Sequence, residues 1–261
     1  MPFDVNYQPK DAYNAMLNPL INTPAVIAST AIVNAANYTG GSVAPGEIIT
    51  LFGVGFGPSD LATLQYDAAN RITTSLASTQ LLFDGIAAPV IYASYNQSSF
   101  IVPYGVSGKA TTSVVYVYQG ARSNAVSLPV AASLPALLSI DQTGKGPGAI
   151  QDANYALNSA ANPAKAGDVV LLYGTGTGVL NPAATDGALV GTPLPSPAAP
   201  ITVQIGGVNA KVLYAGGAPG LTNALLQINV EIPAGLAPGP HPVVIKAGTV
   251  SSPSAVTVAV Q

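Results

Sequence analysis

Apolar residues in this chain come in short runs, several of them alternating with polar positions. Residues 113–118, Ser-Val-Val-Tyr-Val-Tyr, form the strongest run, and residues 201–205 and 255–260 have the same character. β-Branched and aromatic runs of this length, bounded by Gly, Pro, Asn and Asp, predict strands rather than helices. Residues 80–83 and 86–88 flank Asp84-Gly85, a pair that supplies the positive φ of a type I′ turn, so a hairpin is predicted there. Residues 201–205 and 208–214 around Gly206-Gly207 predict its counterpart. Residues 59–78 are too long for a tight turn and leave room for a short helix. Residues 141–163 and 181–200 read as long loops.

The pattern occurs twice. Residues 44–57 read Ala-Pro-Gly-Glu-Ile-Ile-Thr-Leu-Phe-Gly-Val-Gly-Phe-Gly, and residues 165–178 read Lys-Ala-Gly-Asp-Val-Val-Leu-Leu-Tyr-Gly-Thr-Gly-Thr-Gly. Gly46 and Gly167 suit a turn that needs positive φ. The glycines at every second position remove a row of side chains, so the strand can bulge or a neighbouring segment can approach closely. Glu47 and Asp168 fall at matching positions, which points to a role in the fold, accepting hydrogen bonds from the adjoining turn. The alignment runs on to the chain's end, predicting domains over residues 24–131 and 132–261, with an N-terminal extension over 1–23. No Gly/Ser linker separates the domains, so close coupling is expected.

Composition agrees. Gly (27) and Pro (23) are abundant without a triplet period, and 49% of residues are hydrophobic, which excludes collagen and disorder. Charged residues make up 7% and are spread evenly, so nucleic acid and anionic membrane are poor partners. With no cysteine, disulfides and thiolate-ligated zinc are excluded. Asn and Pro interrupt the uncharged stretch 12–46, so no membrane span is expected.

The motifs P-G-E-I-I-T-L-F-G-x-G-F-G, F-D-G-I-A-A-P-V-I-Y, F-I-V-P-Y-G-V-S-G and S-N-A-V-S-L-P-V resemble the IPT/TIG class of immunoglobulin-like domains. More closely, with residues 227–233 (Gln-Ile-Asn-Val-Glu-Ile-Pro), they are similar to the paired C-terminal domain of secreted acidobacterial (Solibacter-type) proteins. The resemblance covers residues 24–261. It implies an all-β pair of tandem immunoglobulin-like β-sandwiches on exported or surface proteins, without catalytic activity.

Candidate chemistry is sparse. The G-x-G-x-G run fits neither a dinucleotide nor a P-loop fingerprint. His241, the single histidine, sits between prolines in a rigid turn or strand start and reads as a surface residue, and no nucleophile elbow is present. Asp60, Asp67, Asp141, Asp152 and Asp186 are scattered over three loops, without EF-hand spacing. No cofactor or metal is expected. Tyr92, Tyr95, Tyr104, Tyr116 and Tyr118 cluster in the first domain, and Tyr116 and Tyr118 share a strand face. Tyr92, Tyr95, Tyr116 and Tyr118 are therefore candidates for a core, an interface or a glycan surface. Asn37 and Asn96 open N-x-[ST] triplets, the acceptor pattern for N-glycosylation, and are candidate modification sites. Phe3, Val5 and Tyr7 alternate with polar residues and predict a strand that docks on a neighbouring molecule.

These readings lead to a non-enzymatic extracellular or cell-surface structural protein, a filament subunit whose partners are copies of itself. The alternative is an accessory adhesion or carbohydrate-binding module whose partner is polysaccharide.

Overall fold

The computed structural model describes residues 25–261. Phe3, Val5 and Tyr7, with the docking strand they predict, lie outside the described residues. Among those residues there is no α-helix; Ser29–Ala31 and Tyr104–Val106 are short 3-10 turns.

Nine strands build the first half: β1 (Ile32–Asn34), β2 (Ile48–Phe52), β3 (Ala62–Thr63), β4 (Thr79–Phe83), β5 (Ile86–Ala87), β6 (Val90–Ala93), β7 (Gln97–Ile101), β8 (Thr111–Tyr118) and β9 (Ala121–Pro129). They form two antiparallel sheets, ordered β1-β2-β7-β6-β3 and β5-β4-β8-β9. Period-two alternation turns Ile49, Leu51 and Phe100 of one sheet toward Leu81, Phe83, Val114 and Tyr116 of the other, giving one buried core. Asp84 and Gly85 have φ of 50° and 86°, and Phe83 pairs with Ile86, so the expected type I′ hairpin is present.

The second half contains β10 (Ala136–Leu137), β11 (Gly146–Pro147), β12 (Gln151–Asp152), β13 (Val169–Thr175), β14 (Leu180–Asn181) and β15 (Ser196–Pro197). It continues with β16 (Ile201–Ile205), β17 (Val208–Gly217), β18 (Leu226–Glu231), β19 (Gly239–Ala247), β20 (Val250–Ser251) and β21 (Val256–Val260). A single ladder runs β10-β13-β18-β17-β16-β19-β21-β11. It folds over on itself because β17 and β19 are long enough to serve both layers. β19 pairs with β16 through Val243–Ala247 and with β21 through Gly239–Pro242. A bridge between Ser139 and Gly148 joins the two ends of the ladder. Val170, Leu172, Ile228, Ile245 and Val258 fill the second core. The fold is a pair of immunoglobulin-like β-sandwiches.

Residues 59–78 contain no helix. They hold β3 and a bridge between Tyr66 and Ile72, because Asp67 closes a turn by accepting from the Ala69 and Arg71 N–H groups. Short strands β11, β12, β14 and β15 likewise occupy parts of the segments expected to be loops.

The two halves are in direct contact. Ile48 N–H donates to Thr175 Oγ1 at 2.9 Å, and Ile72 N–H to the Gly187 carbonyl at 2.8 Å. Ile72, Ile101 and Ala224 form a small apolar cluster between them. The second row of alternating glycines explains how the connecting segment fits. A Cβ on Gly174, Gly176 or Gly178 would land on the carbonyl oxygen of Ala136, Leu134 or Ala132 respectively, so the segment lies directly on the bare strand.

Candidate functional site

The repeated acidic residue does what the sequence suggests. Glu47 Oε2 accepts from the Ala44 N–H at 2.7 Å, and Asp168 Oδ2 accepts from the Lys165 N–H at 2.8 Å. Each carboxyl closes the turn that starts three residues before it. The turn glycines Gly46 and Gly167 have φ of 71° and 88°. Glu47 is fully buried and Asp168 is exposed. Burial pushes the Glu47 carboxyl up to about 8, against the pull of its bonds from Ala44 and Asn34. Glu47 also lines a cavity of about 170 Å³ between the halves, with Asn34, Leu134 and Ser251.

The remaining acids do not converge. Asp141 accepts from the Thr143 N–H and from the Ser139 and Thr143 hydroxyls, and Asp152 from the Asn154 and Ala156 N–H groups. These bonds hold both carboxyls below their ordinary range. Asp60 is exposed. Among the described residues no three His, Cys, Asp or Glu side chains come together as metal ligands. His241 lies near the start of β19, paired with Val258 of β21, rather than on a turn; its Nε2 is 2.6 Å from the Ala237 carbonyl, and among the described residues no carboxylate pairs with it.

The aromatic residues separate into two environments. Tyr116 and Tyr118 do share a face, but it is the inward one. Tyr116 is 0% exposed, stacked on Phe56 with centroids 5.2 Å apart and edge-on to Phe100. Tyr118 packs partly buried against the same core. Alternation fixes which residues share a face but not which face is covered, and Val114 and Thr112 on the same parity are buried too. Tyr116 therefore cannot belong to a ligand surface. Tyr104 lies between the halves, its hydroxyl donating to the Asn223 carbonyl at 3.3 Å.

The outer face of β2, β7 and β6 is different. Register places Ile48 beside Ile101, Thr50 beside Ser99 and Phe52 beside Gln97, and Ser99 is also opposite Tyr92, which is opposite Thr63. The Ile48–Ile101 row is covered by the second half. Beyond it, Tyr92 is half-buried, with its phenol against Thr50 and near Tyr38; burial raises its pKa above the ordinary phenol value. Phe52 and Tyr38 are 39% and 40% exposed, with ring centroids 6.0 Å apart. Tyr95, 52% exposed, sits on the β6–β7 turn whose Asn96 carbonyl accepts from Gly53, next to Phe52. Tyr38, Phe52 and Tyr92 thus occupy one end of an outer sheet face, among Thr63 and Gln97, with Tyr95 and Asn96 on the adjoining turn. Tyr38 and Phe52 are additions to the sequence-derived set. The signal was available in Phe52, an aromatic on the Ile48–Thr50 parity of its strand.

Asn96 is exposed on that turn, while Asn37 is half-buried with its Oδ1 accepting from the Thr39 N–H at 2.8 Å. No helix among the described residues is long and apolar enough to cross a membrane.

No curated protein matches the chain. Among solved structures, similarity extends to SGBP-B from a mixed-linkage glucan utilization locus of Bacteroides ovatus, in complex with a mixed-linkage heptasaccharide. That likeness has 16% identity and a TM-score of 0.34, over 91% of this chain and 44% of that one. SGBP-B from a xyloglucan utilization locus of Bacteroides uniformis has 12% identity and a TM-score of 0.27, over 80% and 44%. The extracellular region of plexin A4 has 9% identity and a TM-score of 0.27, over 88% and 18%. The chain spans less than half the length of each. Residues 31–130 match the family described as IPT/TIG domain, so the first sandwich is an IPT/TIG domain.

Proposed function

We propose that this chain is a non-catalytic binding module at a cell surface, whose first sandwich presents an aromatic face to a neutral polysaccharide. The observation that carries the reading is the Tyr38–Phe52–Tyr92 patch on the outer face of β2 and β6. Exposed aromatic groups that share a face mark an interaction site, and tyrosine combines an apolar ring with a hydroxyl. A pyranose ring has the complementary form, with C–H faces that stack on the rings and hydroxyls that meet Gln97, Thr63 and Asn96. None of these neighbours is charged, which favours a neutral chain over an anionic one. The second sandwich, docked on the Ile48–Ile101 row, holds the face in a fixed orientation. The likeness of the sequence motifs to paired domains of secreted acidobacterial proteins fits a surface role.

Self-assembly by strand addition has less support. In the second sandwich the Ser139–Gly148 bridge joins the ends of the ladder that strand addition would use. In the first, the outer edge of β9 is partly occupied. Val43 exchanges bonds with Pro129 and Ala131, and the Asn124 side chain pairs with the Ile27 backbone.

Retention on insoluble neutral polysaccharides tests the proposal. The wild-type chain is expected to be retained, and the Tyr38→Ala/Phe52→Ala double variant to pass through. Equal retention of both, or none by the wild type across a broad panel, rejects it.

A further inference from the structure

We infer that the cleft where the two sandwiches meet is a second saccharide site, built to hold a short segment or end of a neutral glycan. The ligand class rests on the function proposed above; the location does not. The cleft, about 580 Å³, lies within the usual range for small-ligand sites and at a domain boundary, where such sites concentrate. One wall is the turn-and-strand segment after β3, with Asp67, Arg71, Thr73 and Ser75. The other is the loop between β14 and β15, with Thr185 and Asp186. Neither half forms it alone.

Three features of the lining define what it can take. First, Thr73 lines the cleft and its Oγ1 is shielded from solvent without a hydrogen-bond partner, so a turn about χ1 that presents the hydroxyl to a ligand breaks no existing bond. Second, Asp186 is half-buried. Its Oδ1 accepts from the Tyr104 N–H at 2.8 Å, and among the described residues no Lys or Arg pairs with it. Third, the Asp67 carboxylate is already engaged by the Ala69 and Arg71 N–H groups and by the Arg71 guanidinium at 3.2 Å. A cation would find one available carboxylate, too few oxygens for Ca²⁺. An anion would face two carboxylates against one guanidinium. A polyol suits this mixture, because each of its hydroxyls can both donate and accept. Asp186 accepts, Arg71 donates, and Thr73, Ser75 and Thr185 do either.

The test is calorimetric titration of the full chain with short soluble neutral oligosaccharides. Thr73→Val removes the partnerless hydroxyl at nearly constant shape, so it leaves thermal stability unchanged. Asp186→Asn retains an acceptor for Tyr104. Each is expected to weaken binding roughly five- to tenfold. If only Phe52→Ala weakens binding, the cleft inference is overturned and the polysaccharide reading stands. Absence of any oligosaccharide binding overturns the inference, and retention on insoluble polysaccharide then decides the earlier proposal separately. Saturable binding of calcium chloride or inorganic phosphate alone, abolished by Asp186→Asn, overturns the saccharide assignment.

Discussion

The Glu47 carboxyl accepts a hydrogen bond from the Asn34 side-chain amide at 2.7 Å, in a position closed to solvent. The same amide reaches the Leu134 carbonyl at 3.3 Å, in the segment that connects the sandwiches. Glu47 therefore ties three things together: its own turn, the end of β1 and the interdomain connection. Asp168, one methylene shorter and exposed, holds its own turn through Lys165. The extra reach of glutamate and its burial turn a local turn device into part of the joint.

That burial makes stability depend on pH. The folded carboxyl titrates near 8, raised from an ordinary value of 4.5. A raised acid binds its proton more tightly in the folded state, so its contribution is fully present below about pH 4.5. It is lost as pH rises through the folded value, by at most ~1.4 kcal/mol per pH unit. The melting temperature is expected to fall between pH 5 and 8, and Glu47→Gln to flatten that dependence. An unchanged pH profile in the variant would show that Glu47 is not the titrating group.

The glycine seat under the connecting segment gives a stability test. Gly176 has φ of 82°, and a Cβ there would strike the Leu134 carbonyl; Gly220 has φ of 76° with open space around it. Gly220→Ala is expected to cost about 1 kcal/mol, from backbone strain alone. Gly176→Ala adds a backbone collision and should cost about 3 kcal/mol or more. Urea unfolding measures both, and equal losses would mean that the segment does not rest on Gly176.

The legible parts of this chain were local. Asp84-Gly85 and Gly206-Gly207 specify their hairpins through backbone conformations that few residues adopt, and all four residues have positive φ. The alternating glycines announced a close approach, and Gly176 and Leu134 supply it. The sequence was silent wherever distant segments meet. Nothing near Tyr104 indicates that its N–H will find Asp186, and the cleft follows from that encounter. Tyr116 failed for a related reason. Its parity with Tyr118 was readable, but which face became core depended on Phe56 and Phe100 arriving from elsewhere in the chain.

Tyr116 has its own testable consequence. Its hydroxyl is buried close to those of Thr79 and Ser98, yet none of the three forms a well-shaped hydrogen bond. Burial, only partly offset by those hydroxyls, pushes the phenol up to about 12. Tyr116→Phe removes a poorly satisfied polar atom and keeps the ring stack, so stability should hold within about 0.5 kcal/mol or rise. Tyr116→Ala leaves a cavity and should cost about 3–5 kcal/mol. A large loss from the phenylalanine variant would show that the hydroxyl is well bonded in solution.

Tyr92 separates stacking from hydrogen bonding on the proposed binding face. Its ring is opposite Ser99 and its hydroxyl contacts Thr50, so the phenol is partly committed to the sheet beneath. Phe52 has no polar atom and can act only by its exposed ring. If the face holds sugar rings by stacking, Phe52→Ala should weaken polysaccharide binding roughly tenfold, about 1–2 kcal/mol. Tyr92→Phe should then leave affinity within about twofold, since a hydroxyl turned toward Thr50 has little to offer a ligand. Affinity electrophoresis in polysaccharide-loaded gels gives both values, with Tyr118→Ala as a control off the face. Were Tyr92→Phe to abolish binding while Phe52→Ala had no effect, recognition would run through the phenol, and the stacking account of this face would be wrong.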